Sequence, residues 1–203
     1  MKKILIMAAA VLTSSALFSQ EAPQEKIKTI SLGPAVGFGH TGIRNTAGTD
    51  IFKPAWKAGL IFNYSSRKHV GFAADVLWSQ EGARVKDQGL QADVNFQYIR
   101  VPLKFAYYFG AFEDNFRPKI TVGPSMGFLL HATSYVMDLE KVDVTDNYEK
   151  FDVGVNASIG FNWKVATNMW LNTDFNYYTS FLPVYGSQYN SNFGVQLGLA
   201  FGL

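Results

Sequence analysis

The last thirteen residues, Ser191 to Leu203, alternate without a fault. Phe193, Val195, Leu197, Leu199, Phe201 and Leu203 fall on one side, and Asn192, Gly194, Gln196, Gly198, Ala200 and Gly202 on the other. Successive side chains of a strand point to opposite faces, so a period of two means a strand with one large apolar face and one small, uncharged face. Such a strand suits a wall between lipid and a narrow lumen, which is the repeat unit of a transmembrane β-barrel.

The same alternation recurs and yields eight strands, at about 27–40, 54–64, 69–83, 93–109, 116–131, 151–164, 168–181 and 191–203. In the sixth, Phe151, Val153, Val155, Ala157, Ile159, Phe161 and Trp163 oppose Asp152, Gly154, Asn156, Ser158, Gly160, Asn162 and Lys164. Eight strands make the smallest regular outer-membrane barrel. Connections alternate in length: short at 65–68, 110–115 and 165–167, longer at 41–53, 84–92, 132–148 and 182–190. Outer-membrane barrels pair short periplasmic turns with longer outward loops, which puts both termini on the periplasmic side. The expected fold is therefore all-β, an eight-stranded antiparallel up-and-down transmembrane barrel.

Size decides which face points inward. An eight-stranded interior cannot hold several dozen Phe, Tyr, Trp, Leu, Val and Ile side chains, whereas the Gly, Ala, Ser and Asn face fits it. Charged residues are only 17% of the chain, below the roughly 25% of an ordinary soluble domain, and no clearly outward strand position carries one. Pro102 and Pro124 fall inside strands, and a closed barrel has no free edge to absorb a missing donor, so bulges or strand ends are expected at both. The segments LGPAVGF (Leu32 to Phe38) and VGPSMGF (Val122 to Phe128) repeat across strands one and five. A duplication of four strands or a shared local requirement would each account for the repeat.

The N-terminus divides the chain further. Lys2 and Lys3 precede the apolar run Ile4 to Leu12 and the small polar stretch Thr13 to Gln20, the pattern of a secretory signal peptide. The expected division is a signal peptide over 1–19, a short periplasmic leader over 20–26 and the barrel over 27–203. After the signal no apolar run reaches the eighteen residues of a membrane helix. Without Lys2 and Lys3 the 18 Lys and Arg become 16, against 16 Asp and Glu. The exported chain is formally neutral, and no basic patch argues for nucleic acid. The chain has no Cys, which excludes disulfides, thiolate metal sites, a cysteine nucleophile and a lipoprotein anchor.

Polar residues on the inward face are the candidates for function. Lys57, Arg100, Lys104, Arg117, Lys119 and Lys164 accompany Asp75, Asp152 and Asp174, with Glu81 nearer the mouth. Unpaired buried charge is costly, so in so narrow a lumen these are expected to pair into an ionic plug; an ion path is the alternative. Gly37, Gly39 and Gly42 spell a nucleotide-binding pattern, but they sit on a strand and then a loop, not between strand and helix. Asp138, Glu140, Asp143 and Asp146 in the third long loop match no calcium-loop spacing. His40, His69 and His131 stand at strand ends without a serine and carboxylate at catalytic spacing. No catalytic, metal or cofactor residue is expected.

The segments GFAADVLWSQEGARV (Gly71 to Val85), YIRVPLKFAYYF (Tyr98 to Phe109) and RPKITVGPSMGFLL (Arg117 to Leu130) resemble the PorT-like outer-membrane β-barrel proteins of the Bacteroidetes. The resemblance implies an eight-stranded barrel in the outer membrane of a Gram-negative bacterium and, for founding members, an accessory part in a protein secretion system. Implied partners are outer-membrane lipid, the barrel assembly machinery and other envelope or secretion proteins. Gln196, Gly198, Phe201 and Leu203 resemble the C-terminal signal read by that machinery, with Leu203 in place of the usual terminal aromatic. The expected function is a non-enzymatic, structural or partner-binding barrel; a narrow pore and a lipid-modifying enzyme are the alternatives.

Overall fold

The computed structural model describes residues 29–46, 49–66, 69–87, 90–136 and 141–203; the expected signal peptide, the whole expected leader and the first two residues of the expected first strand lie outside them. Eight long antiparallel strands form the wall: β1 (Ile30–Arg44), β3 (Pro54–Ser65), β4 (Val70–Asp87), β5 (Leu90–Tyr108), β6 (Phe116–Val136), β8 (Phe151–Ala166), β9 (Met169–Ser180) and β10 (Tyr189–Gly202). Two short strands, β2 (Thr49–Ile51) on β4 and β7 (Val142–Asp143) on β6, extend the sheet among the loops. Each long strand pairs with its neighbours in sequence, and β1 also pairs with β10. The sheet is closed, with no free edge.

The register fixes the barrel's width. Cross-strand partners followed once round from Ile30 run through Tyr64, Phe72, Phe105, Val122, Ala157, Tyr177 and Phe193 to His40, ten residues further along β1. Eight strands with this stagger enclose a space just wide enough for side chains to fill. The outward positions are the apolar ones, among them Val36, Leu60, Val76, Ile159, Phe175 and Leu197. Trp56, Trp78, Phe151 and Phe181 rim this belt at the loop end, and Tyr64, Phe109, Trp163 and Phe201 at the turn end. Two aromatic girdles around an uncharged band are what a lipid-facing barrel presents.

Inside, small and large walls face one another. Along β1 and β10 the inward residues include Gly33, Ala35, Gly37, Gly194, Gly198 and Ala200. Long side chains from the rest of the barrel lie across that bare wall: a Cβ at Gly37 would meet Lys57 Cγ at 2.7 Å, and one at Gly198 would collide with Ile61 Cδ1. The small face of the closing strand is thus the floor on which neighbouring side chains pack.

The prolines depart from expectation. The β5–β6 register is the same on both sides of Pro102 and Pro124, resuming from Pro102↔Ser125 to Phe105↔Val122 with only the intervening pairs missing. The β1–β10 ladder skips Pro34 in the same way, from Leu32↔Phe201 to Ala35↔Gly198. No bulge forms. Leu199 O over Gly33 and Leu103 O over Gly123 occupy the space of a Cβ, as carbonyls also do over Gly59 and Gly154, while Pro102 follows Val101 and keeps the register without a glycine. The repeated Gly-Pro segments therefore share one local arrangement. Register shifts occur instead at Gln97/Tyr98 and at Lys164/Ala166. The expected loop at 84–92 is also a correction, since pairing continues from Arg84↔Asp93 to Asp87↔Leu90.

Candidate functional site in the barrel interior

Alternation aims every second side chain of eight strands at one axis, so the polar residues of the small face meet there whatever their distance in sequence. Arg100 of β5 is the hub. Its Nε and Nη2 donate to the two carboxylate oxygens of Glu81, each at 2.6 Å, and Nη2 also donates to Asp152 Oδ2 at 2.9 Å. The guanidinium stacks on the Tyr178 ring at 4.0 Å and on Tyr98 at 5.0 Å. Asp152 further accepts hydrogen bonds from Asn190 Nδ2 at 3.0 Å and from the Ser180 hydroxyl. A forked cation between two carboxylates, with aromatic faces beside it, fixes both position and orientation.

Nearer the turn end, Lys104 Nζ donates to Asp75 Oδ2 at 2.7 Å, and Gln196 Nε2 donates to the same oxygen at 3.1 Å. Lys119 Nζ reaches Asp174 Oδ2 at 3.1 Å, while Ser158 donates to Asp174 Oδ1 at 3.2 Å. Lys57 donates to Asn176 Oδ1. The cavity between Lys57, Asp75, Lys104 and Asp174 holds ≈ 40 Å³, room for about three waters. Arg117 stands apart at the turn end, where it stacks on Tyr108 at 4.4 Å and donates to Ser65 Oγ at 2.8 Å.

The interior therefore joins Lys57, Asp75, Arg100, Lys104, Lys119, Asp152 and Asp174 into one column. Lys164 is a correction. It sits beside the register shift at the end of β8 and makes no ion pair among the described residues. Glu81, nearer the loop end of β4 than Asp75, is buried and is Arg100's bidentate partner. Alternation along β4 places Glu81 inward, and the β4–β5 ladder runs unbroken through Gly82 beside it, from Glu81↔Phe96 to Ala83↔Val94.

Above Arg100 lies an apolar cap that residue patterning does not disclose. Ile43, Ala83, Phe96, Tyr98, Leu129, Ala132 and Val184 form a buried cluster, with Val144 and Tyr148 packed on it. Val184 comes from the β9–β10 connection and is 1% exposed, so this loop folds into the mouth. Beside the cap, Asp93 accepts from Lys53, from Arg84 Nε at 2.8 Å and from the Tyr135 hydroxyl at 2.9 Å.

The terminal residues divide by face. Gln196 and Gly198 point into the lumen, while Phe201 and Leu203 are exposed on the outside. Among the loops, the Asp143 carboxylate accepts from Thr145 Oγ1 at 2.6 Å and from Thr145 N at 2.9 Å, and these bonds hold it below the usual carboxylate range. Asp138 and Glu140 lie outside the described residues, among which no three His, Cys, Asp or Glu converge as a metal site. Gly37 and Gly39 line the strand wall, not a phosphate loop.

A family model described as "Outer membrane protein beta-barrel domain" matches residues 18–186. The chain belongs to this family. Its members place it in the outer membrane, consistent with the apolar belt. No curated protein sequence matches. Among solved structures, Neisserial surface protein A is similar in fold, with 10% identity and a TM-score of 0.55 over 88% of this chain and 100% of its own. OprG of Pseudomonas aeruginosa gives 13% identity and 0.51 over 87% and 97%. OmpW of E. coli gives 12% and 0.51 over 89% and 100%. At these identities the likeness is one of fold: sequences with little in common reach the same barrel.

Proposed function

We propose that this outer-membrane barrel is a non-enzymatic protein with a closed interior, acting through its loops or turns on another envelope protein, with both termini in the periplasm. The observation that supports this is the filled lumen: ion pairs across the middle, an apolar cap above, and interior cavities of ≈ 40 Å³ each among the ion pairs and beside Arg117. A conducting pore needs a continuous water-filled path, and here side chains occupy it. The accessory secretion role implied by the PorT resemblance is the partner-binding form of this reading.

Purified barrel in planar lipid bilayers is expected to give no steady single-channel steps; steady, ion-selective steps would overturn the closed-lumen reading in favour of the narrow pore. Native complexes captured from detergent extracts test the partner, and return of the barrel alone counts against a secretion role. An altered lipid A mass in cells overexpressing the protein would count for the lipid-modifying alternative.

A further inference from the structure

A second cavity lies below the ion-pair column, at the turn end of the lumen. It holds ≈ 40 Å³ and is lined by Arg117, Asn162, Ser31 and Asn63, with the half-buried Thr29 and Ser65 at its rim. The column above is balanced, with Lys57, Arg100, Lys104 and Lys119 against Asp75, Glu81, Asp152 and Asp174. The described residues that line the lower cavity include no Asp or Glu, and the only formally charged side chain among them is Arg117, 6% exposed. Asp114 of the neighbouring turn is exposed and accepts from Ala111 N at 2.6 Å, outside the cavity wall.

The rings of Tyr108 and Phe112 lie 4.4 Å and 5.4 Å from the Arg117 guanidinium carbon, and Nη1 donates to Ser65 Oγ at 2.8 Å. Rings take the face of a guanidinium and leave its edge to polar groups, and a planar carboxylate matches that edge. The volume admits about three water-sized atoms, the heavy-atom count of a carboxylate and too few for a phosphate. Two amides complete the fit. Asn63, 6% exposed, has Nδ2 without a hydrogen-bond partner among the described residues, and Asn162 has Oδ1 in the same position. A donor and an acceptor left open in one buried cavity each cost free energy. A carboxylate with an N–H beside it satisfies both.

We propose that this cavity seats the C-terminal carboxylate of a peptide chain entering from the turn end. Arg117 and Asn63 donate to the carboxylate, Asn162 accepts the N–H of the last residue, and Thr29 and Ser65 form the entrance. Capture of a chain terminus by a few fixed polar groups is a recurring mode of peptide recognition. The assignment deepens the reading of a barrel that acts on another envelope protein, since it gives that protein's chain a place to end. It rests on that reading for the identity of the peptide and for the side of the membrane that the turns face.

The test uses small probes on the whole barrel in lipid nanodiscs. N-acetylglycine carries the carboxylate and the neighbouring N–H, propionate lacks the N–H, and N-acetylglycinamide lacks the carboxylate. Side-chain resonances of Arg117, Asn63 and Asn162 are followed by NMR at constant ionic strength, with sodium chloride as the balancing salt. The expected result is a saturable shift with N-acetylglycine, binding about fivefold weaker for propionate, which forgoes one hydrogen bond, and no saturable shift with N-acetylglycinamide or chloride. Asn63→Asp, which brings a carboxylate of its own, is expected to weaken N-acetylglycine binding by about tenfold or more; heat-modifiable migration checks that this variant is folded. In the wild-type barrel, equal shifts with chloride, equal binding of the acid and its amide, or no saturable shift with any probe would overturn the proposal. Propionate binding as tightly as N-acetylglycine would overturn the peptide assignment. Because no partner protein is present, such a failure removes the pocket and leaves partner binding to the capture experiment.

Discussion

Arg100 shows how much one side chain decides in an interior this narrow. It pairs with Glu81 and Asp152 together, so Arg100→Met leaves two buried carboxylates without their shared cation. Removing one partner of a buried pair costs about 3 to 5 kcal/mol, and the expected outcome is a barrel that unfolds at markedly lower urea, followed by loss of heat-modifiable migration. The charge-balanced double variant Arg100→Met with Glu81→Gln is expected to recover part of that loss. Asp143 makes a milder point among the loops. Its bonds to Thr145 favour the carboxylate, so their stabilisation is present above the ordinary carboxylate pKa and is lost as pH falls through the lower, folded one. The Thr145 amide resonance is expected to titrate with a midpoint below the ordinary value of about 3.9. Arg100, Asp152 and Glu81 could be read from alternation as inward charges expected to pair; that both carboxylates share one guanidinium could not, because β4, β5 and β8 meet at that point only across the closed sheet.

Strands were legible where their two faces differed most. The eight alternating runs coincide with the eight wall strands to within a few residues, except where pairing continues beyond the belt, as in β4 and β5 up to Asp87 and Leu90. There, outside the lipid, the faces lose their contrast and the pattern fades although the hydrogen bonds persist. Proline misled for a related reason: its missing donor is a local fact, but the sheet keeps its register across Pro102 and Pro124. Gly123→Ala tests how closely the strands pack there. The added methyl would press on the Leu103 carbonyl, and such overpacking typically costs about 1 to 3 kcal/mol. Slower folding into lipid vesicles and a lower unfolding midpoint are expected, whereas Gly186→Ala, where nothing lies within 4 Å of the added Cβ but φ is +53°, should cost only the backbone strain of about 1 kcal/mol.

For the whole molecule, closure is what the terminal strand accomplishes. Leu203 N donates to Ile30 O at 3.0 Å, and Phe201 and Gly202 pair with Leu32 and Ser31, so the final residues finish the β1–β10 seam at the turn end. Deleting Phe201 to Leu203 removes that end of the seam together with the two outward side chains, Phe201 and Leu203, of the proposed assembly signal. The truncated chain is expected to be exported but not inserted; heat-modifiable, protease-resistant barrel in the outer-membrane fraction would refute this. The thirteen residues from Ser191 to Leu203 thus carry, by pattern alone, the period, the apolar side and the small side. Sequence by itself determined the strand count, the face turned to lipid and the set of polar residues sent inward, because a period of two is a property of each strand in isolation. Only the tertiary structure decided the partners of Arg100 and the cap that Val184 completes. Those depend on the ten-residue stagger of the closed sheet, which brings β4, β5, β8, β9 and β10 together around Arg100 and is written in no single strand.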